Sequence, residues 1–131
     1  MREPVRREYP FSAPESHAVG EFTKAHRFLL TLSYHTQGEI IFWKFLDYNP
    51  PESRRIGEIF AQLSGYSLED TPTNMGYAGY KDWFIQNFNR PGYTVEVGLG
   101  ENPLPVSDFE RIYKDNLGIL VLGMSLSGDF N

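Results

Sequence analysis

The strongest constraint on the fold is an alternation of short apolar runs with helix-length amphipathic stretches. Residues 28–34, residues 39–45 and the run Tyr93-Thr94-Val95-Glu96-Val97 are rich in aromatic and β-branched side chains, the composition of strands covered by other structure. Between and around them, apolar residues recur at helical spacing. Ala18, Val19, Phe22 and Ala25 share one face of a helix predicted over 13–26, and Ser12-Ala13-Pro14-Glu15 reads as its capping box. A second helix follows Asn49-Pro50-Pro51-Glu52, buries Ile56, Ile59, Phe60 and Leu63, and stops at Gly65. Residues 66–81 read as a long loop rich in Gly, Thr, Pro, Asn and Tyr. A short helix is expected over 82–87, with Trp83, Phe84 and Phe88 as core, and a last one from Ser107-Asp108-Phe109-Glu110 to Met124. Helices alternating with buried strands imply an α/β fold: a mostly parallel sheet with helices on both faces.

Length and charge narrow the function. A chain of 131 residues without internal repeat or composition shift fits one domain, residues 1–131. A net charge of -5 speaks against nucleic acid as a partner, because phosphate binding calls for a basic stripe. With no cysteine, metal ligands must come from His, Asp and Glu. No run approaches the roughly 18 apolar residues of a membrane span. The opening Met1-Arg2-Glu3-Pro4-Val5-Arg6-Arg7 lacks the apolar core of a signal peptide. Nothing here fixes the compartment.

Glu96 stands out because it places a carboxylate in the middle of an apolar strand. An ionised Glu buried there without a partner costs several kcal/mol, so it faces a cleft, meets a cation, or lies on the strand's solvent face. His35 closes another strand and reads either as a ligand or as a strand-end residue bonded to a carbonyl.

Three segments resemble one family together. Ser33-Tyr34-His35-Thr36-Gln37-Gly38-Glu39-Ile40-Ile41-Phe42-Trp43 resembles the segment of the zinc carboxypeptidases that ends a strand with their third zinc-binding histidine. Ala78-Gly79-Tyr80-Lys81-Asp82-Trp83 is similar to the Gly-Gly-x-x-Asp-Trp wall of their specificity pocket, and Thr94-Val95-Glu96-Val97 to the strand of their catalytic glutamate. Arg90-Pro91-Gly92-Tyr93 and Gly100-Glu101-Asn102-Pro103-Leu104-Pro105 resemble bacterial members related to gamma-D-glutamyl-L-diamino-acid endopeptidases, which cut cell-wall peptides.

The resemblance implies the C-terminal portion of a mixed, mostly parallel sheet sandwiched by helices, and a zinc metallocarboxypeptidase activity. It makes His35 a zinc ligand and Glu96 the general base and acid. In such enzymes the metal polarises the scissile carbonyl while the glutamate shuttles a proton to the leaving amine. Lys81 takes the position that faces the substrate side chain, suiting an acidic or cell-wall-derived peptide, though a loop lysine without a ligand is the alternative. Tyr77 or Tyr80 supplies a phenol to the substrate, Asn74 standing where the family's mobile tyrosine would be.

Two family features are missing. His17 and His26 are followed at the third position by Gly20 and Leu29, so no His-x-x-Glu exists, and the family's Asn-Arg pair is absent. Tyr9-Pro10-Phe11-Ser12 resembles the stretch soon after that arginine. The expectation is therefore a fragment or split-enzyme half, inactive alone and completed by an N-terminal half. The alternative is a non-catalytic peptide-binding module. Such a piece should carry an unpaired apolar strand edge at 28–34 and form a dimer or aggregate.

Overall fold

The computed structural model describes residues 9–73 and 79–128. Four helices, α1 (Pro14–Ala25), α2 (Ser53–Ser64), α3 (Tyr80–Phe88) and α4 (Phe109–Gly128), accompany four strands, β1 (Thr31–Thr36), β2 (Ile40–Phe42), β3 (Ser67–Glu69) and β4 (Gly92–Val97). The sheet order is β1-β4-β2-β3. β1 runs parallel to β4 and β3 parallel to β2, while β2 is antiparallel to β4. This is the mostly parallel α/β sheet that the alternation implied, with the mixed character that the family resemblance implied.

Side-chain alternation divides β4 between two faces. Tyr93, Val95 and Val97 point to one side and join Ile41, Ile56, Phe60, Tyr66 and Ile119 in the core under α2 and α4. Gly92, Thr94 and Glu96 point to the other, where α3 packs. Gly92 lets α3 approach closely: a Cβ there would lie 3.3 Å from Phe84 Cδ1 and 3.4 Å from Ile85 Cγ1. The turn before α1 reaches α3 through Phe11 against Trp83, ring centroids 5.0 Å apart.

Several local expectations need correction. The Ser12 capping box does not form; the N-cap is Ala13, in extended backbone, with no side-chain cap bond. Pro14 opens the helix and its ring pushes the preceding residue out of helical space, which moves the boundary past the serine. Ser107 likewise caps nothing, because a 3-10 turn over Val106–Asp108 leads into α4. Gly65 does close α2 in the left-handed conformation, φ 77°. The long loop conceals β3, whose Ser-Leu-Glu sequence carries no readable pattern.

Two tyrosines set an alkaline limit. Tyr93 is fully buried and its hydroxyl donates to Ser53 O; burial pushes its pKa above the usual phenol value. Burial also raises Tyr34, to about 12, with a smaller push from Tyr66. Both phenols stay neutral in the fold at a pH where the unfolded chain ionises them near 10. Their contribution is intact below pH 10 and is lost as pH rises from 10 towards 12. Urea midpoints should therefore fall over that interval, with the last part of the tyrosinate absorbance appearing together with loss of circular dichroism. Tyrosinate appearing fully at pH 10 with the fold intact would contradict this.

Candidate active site

β1 and β4 bring together the two residues on which the sequence reading turns. His35 is the register partner of Glu96 across the parallel β1–β4 ladder. Register partners project to the same face, so imidazole and carboxylate stand side by side on strands about 4.8 Å apart. On its other side Glu96 pairs with Ile40 of β2. Both residues lie at the carboxyl ends of parallel strands, where ligands of such sheets bind. α3 covers the opposite ends of these strands, at Thr31 and Gly92, and leaves His35 exposed and Glu96 half-buried. Among the described residues neither side chain makes a hydrogen bond or ion pair. Glu96 thus escapes the cost of burial by rising clear of α3 beside a histidine.

The loops beyond the two strands are stitched together. Gly38 N donates to Gly98 O at 2.7 Å, and Gly100 N to Gln37 Oε1 at 3.3 Å. Asn102 grips Thr36 twice: its Oδ1 accepts from the threonine hydroxyl at 2.7 Å, and its Nδ2 donates to Thr36 O at 3.3 Å. Gly98, at φ 72°, leaves room for Leu104, whose Cδ1 would lie 2.6 Å from an added Cβ. These contacts begin one residue after His35 and two after Glu96, so they fix how the strand ends face each other. No spacing or residue class in the sequence marks Asn102 or Gln37 for this task.

The substrate-contact candidates are placed otherwise. Lys81 is buried, 4% exposed. Its ammonium donates to Lys44 O at 2.6 Å, to Thr71 Oγ1 at 3.1 Å and to Asp82 Oδ1. All three protons are thereby used. Burial lowers its pKa, and Asp82 opposes that shift. Tyr80 turns toward α1: Thr23 Oγ1 gives its proton to Val19 O, so the Tyr80 hydroxyl donates to Thr23 at 2.8 Å. The structure thus brings neither group beside the His35–Glu96 pair. Tyr77 lies outside the described residues.

The family zinc sets a separate test. Among the described residues no group of three His, Asp or Glu side chains gathers as a metal site. One imidazole beside one carboxylate falls short of the three protein ligands of a catalytic zinc, so these residues alone do not hold the ion. No described helix is long and apolar enough to cross a membrane.

Comparison with known proteins decides the family. The zinc carboxypeptidase family model matches residues 1–118. The chain belongs to the zinc carboxypeptidase family. It is 47% identical over 119 residues to gamma-D-glutamyl-L-diamino acid endopeptidase 1 of Lysinibacillus sphaericus, covering 91% of this chain and 30% of that protein. It is 40% identical over 111 residues to protein YqgT of Bacillus subtilis (strain 168), covering 85% of this chain and 30% of that one. The chain thus spans about a third of these relatives' length.

Proposed function

We propose that this chain supplies the general base and one metal-binding histidine of a zinc metallopeptidase acting on cell-wall-type peptides, and that it is inactive alone. One observation carries the reading: His35 and Glu96 are register partners at the carboxyl ends of β1 and β4, on one face, with no side-chain hydrogen bond or ion pair among the described residues. Glu96 takes the proton of the attacking water and delivers it to the departing amide nitrogen. His35 contributes one ligand; the others come from a complementary N-terminal half. Gly38, Gln37 and Asn102 hold the two strand ends in mutual register. Lys81 and Tyr80 in this reading brace the segment before α3 instead of gripping substrate. That weakens the alternative of a peptide-binding module, which leaned on a free Lys81 ammonium.

The test mixes this chain with the part of the Lysinibacillus relative outside its matched 119 residues. Hydrolysis of a gamma-D-glutamyl-diamino acid peptide is followed with and without zinc. Activity is expected only from the mixture, and only with zinc. Equal hydrolysis by the chain alone would overturn the proposal, and so would an inert mixture in which the two pieces demonstrably associate.

A further inference from the structure

We propose, resting on the peptidase reading above, that Tyr66 is a positioning residue for Glu96: from the opposite face of the sheet its hydroxyl anchors the glycine turn in which β4 ends.

That turn needs an anchor. Beyond Glu96 the chain passes through Val97 into Gly98, at φ 72°, and glycine leaves such a backbone freer than any other residue would. Nothing larger fits there, because a Cβ would lie 3.0 Å from Ile112 Cδ1 of α4. With no side chain of its own, Gly98 is held only through its peptide groups. Its carbonyl accepts from Gly38 N, which ties the end of β4 to the turn before β2.

Tyr66 meets this turn from the core side. It is buried and packs with Val95, Val97 and Ile119, on the face away from His35 and Glu96. The next residue, Ser67, donates its N–H to Glu39 O at 3.0 Å, which brings the tyrosine alongside the Gly38–Gly98 crossing. From α4, Asn116 Nδ2 donates to the Tyr66 oxygen at 3.0 Å and to Ile112 O at 2.9 Å. A carbonyl only accepts, so Ile112 O fixes which way the Asn116 amide faces and makes the Tyr66 oxygen an acceptor too. The Gly98 amide is a second donor to that oxygen. Burial raises the Tyr66 pKa, and the bonds from Asn116 and from the Gly98 backbone oppose the rise, as donors to a phenol oxygen do.

Packing alone does not call for this arrangement. Tyr66 and Asn116 are buried beside apolar side chains, and Asn116 Oδ1 is buried without a hydrogen-bond partner among the described residues. Phe and Leu would fill similar space and leave no buried acceptor unpaired. What the polar pair adds is a hold on the Gly98 peptide, in a low-dielectric interior where such bonds are stiff. The carboxylate two residues earlier then keeps one position above the sheet, as proton transfer within hydrogen-bond reach requires.

Two hydroxyl deletions test this in the chimera where the chain replaces the matched segment of its Lysinibacillus relative. Tyr66→Phe should lower kcat for a gamma-D-glutamyl-diamino acid peptide by about tenfold or more, within the roughly 100-fold that a 1 Å misplacement costs, and leave KM unchanged. Tyr93→Phe is the control. It removes another buried hydroxyl from the same face and leaves Ser53 O without its donor, so it should lower the urea midpoint more than Tyr66→Phe does while kcat stays that of the parent. Hydrogen exchange in the full chain reads the anchor without any activity: the Gly98 amide should exchange faster in Tyr66→Phe than in the parent. Parent-like kcat in Tyr66→Phe would overturn the proposal. So would kcat falling in both variants in step with the urea midpoint, or an unchanged Gly98 amide. Parent-like hydrolysis after Glu96→Gln would instead take down the peptidase reading itself, and this assignment with it.

Discussion

Replacing Glu96 with Gln should lower zinc-dependent peptide hydrolysis by roughly 10²- to 10⁴-fold when this chain stands in place of the matched segment of its Lysinibacillus relative. Gln keeps the size and hydrogen-bonding reach of Glu but cannot take a proton at neutral pH. At 1.36 kcal/mol per tenfold, the drop corresponds to about 3 to 5 kcal/mol of lost transition-state stabilisation. The side chain is half-buried at a strand end with no hydrogen bond or ion pair to lose among the described residues, so the fold should not change. His35→Ala serves as the contrast. It should lower the zinc content of the chimera, whereas Glu96→Gln should leave zinc bound and the reaction slow. That division separates a ligand from a base, since a merely structural defect would move both readouts in both variants. Hydrolysis within a few-fold of the parent after Glu96→Gln would remove Glu96 from the proposed chemistry.

What the sequence disclosed follows from which interactions are local. β4 was legible because Tyr93, Val95 and Val97 alternate with Thr94 and Glu96, and α2 because Ile56 and Phe60 recur at helical spacing before Gly65. The adjacency of His35 and Glu96 was reachable only through family resemblance, since nothing in either segment specifies that β1 pairs with β4. The Ser12 motif misled because a capping box and a helix-opening Pro14 compete, and the proline's steric restriction wins. β3 was hidden because three residues give too short a record of alternation. The partners of Lys81 were the least readable. They come from Lys44 and Thr71, 37 and 10 positions away, and from a neighbouring Asp82, whereas the sequence reading ended a loop at Lys81 and left its ammonium in solvent. Family position suggested a substrate contact for Lys81, and only packing shows that its protons are committed.

Asp82→Ala should cost about 3 to 5 kcal/mol, because it leaves the Lys81 ammonium buried beside two neutral acceptors and no anion. Lys81 and Asp82 are 4% and 5% exposed, and their ion pair sits in the first turn of α3, where a carboxylate also meets the positive end of the helix dipole. Such a loss is a large share of the 5–15 kcal/mol that holds a typical domain, and a urea midpoint measures it directly. The deficit should depend on pH with a definite sign. Burial already lowers the Lys81 pKa below 10.5, with Asp82 as its main opponent. Without Asp82 the folded-state pKa falls further, and the unfolded chain then binds more protons between that value and 10.5. Stability of the variant rises with pH across this window, so its gap to the parent is widest near neutral pH and narrows toward pH 10. Lys81→Met combined with Asp82→Leu removes both charges at similar volume and should cost less than Asp82→Ala alone. If the double variant is instead the worse of the two, the pair is stabilising in its own right and the desolvation argument fails.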